Sequence, residues 1–171
     1  MTAHTLEQLI EHTPDFPEPG VVFRDISPLL AQKFPETVEA MIGLFSTVEL
    51  DAIDAFAGID ARGFIFASAM AANTGKNLIM VRKGGKLPPP ASSQEYTLEY
   101  GTAMMELKHG AGRIAIIDDV VATGGTLQAA AELCQKAGYS VYALAALLDL
   151  QYLNDFTWNG LKPRSVIQYQ E

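Results

Sequence analysis

Two spacings of apolar residues alternate along the chain. Short unbroken runs give way to stretches where apolar residues recur every three or four positions, the periods of buried strands and of one-sided helices. A first helix is expected at residues 5–11, with Leu6, Leu9 and Ile10 on one side. Residues 15–20, DFPEPG, break any regular structure, and residues 21–26, VVFRDI, read as an extended segment. A helix over residues 35–46 has Pro35 in its first turn and Glu36 near its positive end, and turns Val38, Met41, Ile42 and Phe45 toward a core. Then come a strand of small residues at 53–59, a helix at 64–73 stopped by Gly75, and a strand at 78–81. Residues 87–97 are polar and Pro-rich, which predicts an unpacked loop and a mobile lid. A strand at 103–107 turns through residues 109–112 into an apolar run that starts at Arg113. The following helix sets Leu127, Ala130, Ala131 and Cys134 on one face and is capped by Gly138. A buried strand at 141–148, an irregular or short helical stretch at 149–158 and an edge strand at 165–169 close the chain. The alternation predicts an α/β fold, an open and mostly parallel twisted sheet flanked by helices. With no internal repeat and no linker, residues 1–171 form a single domain.

Chemistry gathers where the predicted strands end. The stretch IIDDVVATGGT (residues 116–126) carries Asp118 and Asp119 at a strand end and then a loop of Gly and Thr before a helix. Such a loop turns successive backbone N–H groups inward as an anion nest, and the helix N-terminus adds partial positive charge. Carboxylates beside a phosphate need another partner, either ribose hydroxyls or a divalent metal. One ligand with a phosphate at one end and a diol at the other satisfies both. A plain strand-ending turn and a phospho-acceptor carboxylate pair are the alternatives at this loop. A Walker loop is excluded, because no G-x-x-x-x-G-K-[ST] occurs. Two more strands end in functional residues: Asp60, Ala61, Arg62 and Gly63 after one, and Arg82, Lys83 and Lys86 after the next. In an open α/β sheet, ligands bind outside the carboxyl ends of the strands, so the three groups converge at one edge. Gly63 is expected to let the backbone turn inward and expose its amides.

Composition narrows the field of function. The formal net charge is −8, with 12 Lys and Arg against 20 Asp and Glu, which argues against a nucleic-acid surface. Against that background three cations within residues 82–86 stand out as a local anion site. No apolar run reaches about 18 residues and the N-terminus lacks a basic, apolar leader, so no membrane span or signal peptide is expected. Cys134 is the one cysteine; it is read as a small core residue, and the whole composition as cytoplasmic.

Two hydrophobics, two acids, two hydrophobics and A-T-G-G-T resemble the phosphoribosyl pyrophosphate signature of the type I phosphoribosyltransferases. FPEPGVVFRDISPLL, GIDARGF, R-K-x-G-K-L-P (Arg82 to Pro88) and Y-x-L-E-Y-G (Tyr96 to Gly101) are similar to the adenine phosphoribosyltransferases within that family. Specific motifs cover roughly residues 16–148; three prolines at 88–90 and a short connection at 109–112 depart from the pattern.

The resemblance implies Mg²⁺-dependent transfer of 5-phosphoribosyl from phosphoribosyl pyrophosphate to adenine, giving AMP and pyrophosphate. It implies a hood over residues 1–34, in which Phe23 stacks on adenine while Val22 and Arg24 offer backbone hydrogen bonds. Asp60, Ala61, Arg62, Arg82, Lys83 and Lys86 would hold pyrophosphate. Asp118 and Asp119 would hold the ribose hydroxyls, directly or through metal-bound water. Ala122, Thr123, Gly124, Gly125 and Thr126 would grip the 5′-phosphate. The 6-oxopurine enzymes carry an Asp facing N7 of the base where this chain has Ala122. The resemblance therefore sends the acid/base role to Glu99 on the lid at residues 87–101, with Tyr100 helping to order it. It also implies a homodimer in which Mg²⁺ arrives with the substrate and has no direct protein ligands of its own. An enzyme for hypoxanthine or guanine is opposed by Ala122, the hood and Y-x-L-E-Y-G. A phosphoribosyl pyrophosphate-sensing regulator is opposed by the missing DNA-binding domain and by the retained Arg62, Lys83, Lys86 and Glu99.

Overall fold

The structure is a computed structural model that describes residues 3–98 and 101–170. Its centre is a seven-stranded sheet built around β3 (Ala55–Ile59) and β7 (Arg113–Val121), which run parallel with Ala55 opposite Ile114. On one side β3 pairs with β4 (Asn77–Lys83), also parallel. Beyond it the antiparallel hairpin β5 (Ser92–Leu98) and β6 (Gly101–Leu107) extends the edge, with β6 next to β4. On the other side β7 pairs with β8 (Ser140–Leu150) and β8 with the edge strand β9 (Arg164–Tyr169), both parallel. The chain leaves β3 toward β4 in one direction and leaves β7 toward β8 in the other. Such a reversal opens a crevice at the carboxyl ends of the two strands.

Both faces of the sheet are covered, which is why β3 and β7 read as continuous apolar runs. Ile117 of β7 joins Phe56, Phe66, Met70 and Met41 in one core layer, beneath α2 (Ser27–Ile42) and α4 (Arg62–Thr74). Ile114 and Ile116, facing the other way, pack with Leu127, Leu133 and Cys134 beneath α5 (Gly125–Lys136). Cys134 is fully buried, and burial pushes its thiol up to about 12, so the core reading of this residue stands.

Several elements differ from the sequence expectation. The helix predicted from Pro35 begins earlier, at Ser27, and is kinked at Lys33 (φ −140°, ψ 33°), so that Pro35 sits in the first turn after the kink. A short α3 (Thr47–Ala52) follows, opened by a reciprocal cap in which the Ser46 hydroxyl accepts from Glu49 N and Glu49 Oε2 accepts from Ser46 N. The N-terminal helix α1 is shorter than predicted (Ala3–Glu7), and Glu11–Pro14 is instead a strand, β1, paired antiparallel with β2 (Val22–Asp25). The stretch expected as an unpacked loop contains β5. Lys136 Nζ donates to the Ser93 carbonyl at 2.9 Å, and Gln94 Nε2 to Glu132 at 3.3 Å, fastening β5 onto α5. Lys108 Nζ donates to the carbonyls of Pro88 and Pro90, which ties down the three-proline run.

Candidate functional site

The crevice between β3 and β7 is shaped by two strand-to-helix turns. After Ile59 the chain passes through Asp60 and a cis Asp60–Ala61 peptide straight into α4. That helix lies so close to β7 that a Cβ on Gly63 would stand 2.6 Å from the Ile117 carbonyl oxygen. Gly63 is therefore required by helix–strand approach, which replaces the amide-exposing role expected from sequence. After Val121 the chain passes through residues 122–124 into α5, with Gly124 left-handed (φ 89°). No acidic residue occupies the first turn of α4 or of α5, and among the described residues no side chain caps either one. Short α3, by contrast, carries a full capping box. Two uncapped N-termini at one crevice leave free N–H groups and positive helix ends aimed at an anion.

The crevice holds a cavity of about 370 Å³ walled by Asp60, Ala61, Arg62, Lys83, Tyr96 and the whole of residues 118–127. A second, smaller cavity of about 130 Å³ opens beside it, under the β1–β2 hairpin. Its walls are Val21, Val22, Phe23, Arg24, Leu148 and Leu150, together with Arg62, Asp119, Val120 and Ala122. The last four residues line both cavities. One chamber is charged, the other mostly apolar, and they meet at a common wall.

Charge in the larger chamber is arranged unevenly. Asp118 and Asp119 are buried, 7% and 5% exposed. Burial pushes the Asp118 carboxyl well above the usual carboxylate range, and the neighbouring Asp119 charge pushes it further. Asp119 is also raised by burial, but the Arg62 guanidinium opposes the shift from 2.8 Å. Arg62 also lies over the Phe23 ring, 5.6 Å from its centroid, and so links the two chambers. Asp60 Oδ2 accepts from Lys83 N at 3.3 Å and lies 3.9 Å from Arg82 Nε. Tyr96 reaches the chamber from β5, its hydroxyl pushed up by burial and then by Asp118 and Asp60.

Most of the sequence-predicted residues therefore fall around the joined cavities: Val22, Phe23, Arg24, Asp60, Ala61, Arg62, Lys83, Asp118, Asp119 and residues 122–126. The structure does not bring Arg82 and Lys86 into the lining. Lys86 is exposed on a turn whose amides, those of Gly85, Lys86 and Leu87, all donate to the Glu106 carboxylate at 2.9 to 3.1 Å. Glu99 and Tyr100 lie outside the described residues. The guanidinium of Arg24 is engaged by two tyrosines, 4.3 Å from the centroid of the Tyr169 ring and 3.2 Å from the Tyr152 hydroxyl. Sequence reasoning missed Tyr96 as a wall residue, although Y-x-L-E-Y-G contains it. It also missed Glu106, Tyr152, Asn154 and Phe156, for which no motif gave a signal.

Comparison with known proteins agrees with this geometry. The family model of the phosphoribosyl transferase domain matches residues 34–151. The chain is 49% identical over 172 residues to the adenine phosphoribosyltransferase of Hydrogenovibrio crunogenus, covering 100% of both chains. Among solved structures it is similar to the adenine phosphoribosyltransferase of Rhodothermus marinus, with TM-score 0.82, 36% identity and 97% of each chain covered. It is also similar to the Giardia lamblia enzyme complexed with 9-deazaadenine, with TM-score 0.83, 30% identity, and 100% of this chain and 99% of that chain covered.

Proposed function

The chain belongs to the phosphoribosyl transferase family, among the adenine phosphoribosyltransferases, and we propose that its two joined cavities divide the reaction between them. Adenine occupies the smaller chamber and phosphoribosyl pyrophosphate the larger. Transfer of the 5-phosphoribosyl group to N9 gives AMP and pyrophosphate. The observation that carries this division is the common wall of Arg62, Asp119, Val120 and Ala122. A bond between base and sugar has to form where the two ligands meet, and the chambers meet there and are otherwise lined by different residues.

Each group then has a task. Phe23 flanks the base, and the main chain at Val22 and Arg24 reads its edge, since the Arg24 guanidinium is engaged with Tyr152 and Tyr169. Residues 122–126 bind the 5′-phosphate through amides at the uncapped start of α5. Asp118 and Asp119 accept the ribose hydroxyls. Asp60, Ala61, Arg62 and Lys83 surround the pyrophosphate, and the two cations offset charge that grows on it as the anomeric C–O bond breaks. Arg82 and Lys86 add positive field at the same sheet edge.

Two adjacent buried carboxylates suit a hard cation, and among the described residues no three His, Cys, Asp or Glu gather to hold a metal. That donor set fits Mg²⁺ carried in by the substrate: Asp118 and Asp119 would lie beside it, and it would supply further charge neutralisation. Glu99 manages the proton on the base, because Ala122 offers none. Among the described residues no helix is long and apolar enough to cross a membrane; we place the enzyme in the cytoplasm, as a homodimer.

Purified protein with Mg²⁺ and phosphoribosyl pyrophosphate, offered adenine, hypoxanthine or guanine separately, tests the reading. AMP is expected from adenine, and nucleotide formation from the 6-oxopurines at least 100-fold slower. No AMP, or equal use of the three bases, overturns it.

A further inference from the structure

The phosphate loop is held from behind by the turn that follows β8, and one side chain there makes the closest contact. Asn154 Nδ2 donates to the Ala122 carbonyl at 2.7 Å. The same amide reaches the Leu150 carbonyl at 3.0 Å and Asp149 Oδ1 at 3.2 Å, while Asn154 Oδ1 accepts from Phe156 N at 3.2 Å. Asp149 itself is buried, 2% exposed. Every polar atom of the carboxamide is thus engaged, and its shortest bond goes to the loop. Phe156 adds a steric stop, since a Cβ on Gly124 would stand 2.4 Å from its Cγ. None of Asp149, Asn154 and Phe156 lines either chamber.

Peptide planarity turns this contact into an aiming device. The Ala122 carbonyl and the Thr123 N–H belong to one trans peptide, so they point in opposite directions. Asn154 draws the carbonyl outward, away from the chamber, and that fixes the Thr123 N–H inward, toward it. An unheld peptide at this position could rotate and present a carbonyl to an incoming phosphate. We propose that Asn154 is a positioning residue: it orients the Ala122–Thr123 peptide so that the first amide of the nest faces the 5′-phosphate of the phosphoribosyl substrate. This rests on the reading of residues 122–126 as the phosphate loop.

Asn154→Ala and Asn154→Leu test it, the second keeping most of the bulk without adding charge beside Asp149 while removing the donor. Losing one aimed hydrogen bond to a charged ligand corresponds to roughly ten-fold in affinity. Both variants are expected to bind ribose 5-phosphate about ten-fold more weakly by calorimetry, with pyrophosphate affinity within about two-fold of wild type. In steady state the KM for phosphoribosyl pyrophosphate should rise about ten-fold while kcat at saturation holds within about two-fold. Tyr152→Phe removes a different hydrogen bond from the same turn and is expected to leave ribose 5-phosphate affinity unchanged. Folding of each variant is checked by its thermal transition, and Asn154→Leu decides if the Ala variant does not fold. Wild-type affinity for ribose 5-phosphate in Asn154→Leu overturns the proposal, as does equal weakening by Tyr152→Phe, which would assign the effect to the turn as a whole. Wild-type protein that fails to bind ribose 5-phosphate at all sinks the phosphate-loop reading instead.

Discussion

Asp118 and Asp119 are neighbours in sequence and sit in different electrical surroundings. Asp119 has the Arg62 guanidinium at 2.8 Å, whereas Asp118 accepts the Asp119 amide at 2.9 Å and feels Arg62 without touching it. Burial raises both carboxyls. A buried carboxylate without a cation is destabilising until a ligand supplies hydroxyl donors or a metal, so binding strength here is gained at the expense of the free protein. The sign follows from proton linkage. A folded chain that holds its proton to higher pH than the unfolded chain loses stability as pH rises from the unfolded value of 3.8 through the raised folded one. Asp118→Asn removes the titrating group. Without ligand, the variant is expected to melt higher than wild type at pH 7–8, by roughly 2–4 °C for each kcal/mol relieved, with the gap closing as pH falls toward 4. The same variant should bind phosphoribosyl pyrophosphate more weakly by calorimetry. A variant that melts lower than wild type at pH 8 would show that Asp118 is not held at a penalty.

At the scale of elements, what could be read from sequence follows burial. β3, β7, β8, α4 and α5 are packed by the two core layers, so their apolar spacing was unambiguous and the motifs at their ends fell into place. β1 is exposed along its whole length, and β5 is a polar strand; each exists because a partner strand offers hydrogen bonds, a fact absent from its own residues. Ser46 and Glu49 stand at the spacing of a capping box, a signal in the sequence for the start of α3. Gly63 and Gly124 were legible as necessary glycines; the structure adds the Ile117 carbonyl beside Gly63, and the Phe156 ring beside the left-handed Gly124, which no motif signalled. Asn154 was beyond reach, since its meaning depends on a contact 32 residues away. The anchored β5 puts Tyr96 in the wall of the larger chamber. The acid/base role proposed for Glu99, which lies between β5 and β6 in sequence, has a test of its own. Glu99→Gln keeps shape and removes ionisation, so kcat is expected to fall at least 100-fold while affinity for phosphoribosyl pyrophosphate changes less than about three-fold. Unchanged kcat would leave the proton to water or to the base itself.

The helices that cover the sheet leave one face poorly covered at its β4–β6 end. Leu78 and Met80 of β4 and Met104 of β6 are 43%, 48% and 46% exposed. Strand alternation and the pairing of Arg82 with Glu106 put all three on the same face. That is the face carrying α4, and Ile65 of α4 is itself 37% exposed. Leu78 and Met80 stand together on that face, while Met104 lies beyond the Arg82–Glu106 pair, so an association surface here is apolar at both ends with a charged pair between. A second copy of the chain, packing its own equivalent patch there, satisfies the symmetry of a two-fold dimer. The consequence reaches the site, because β4 delivers Lys83 to the larger chamber, and covering its outer face would fix that strand and the basic turn beyond it. The chain is expected to elute with the mass of a dimer in chromatography coupled to light scattering. Met80→Glu combined with Met104→Glu should give monomers, by burying charge in the contact, and should raise the KM for phosphoribosyl pyrophosphate more than the KM for adenine. A double variant that keeps the dimer mass would place the contact elsewhere on the surface, and a wild-type monomer would remove the dimer altogether.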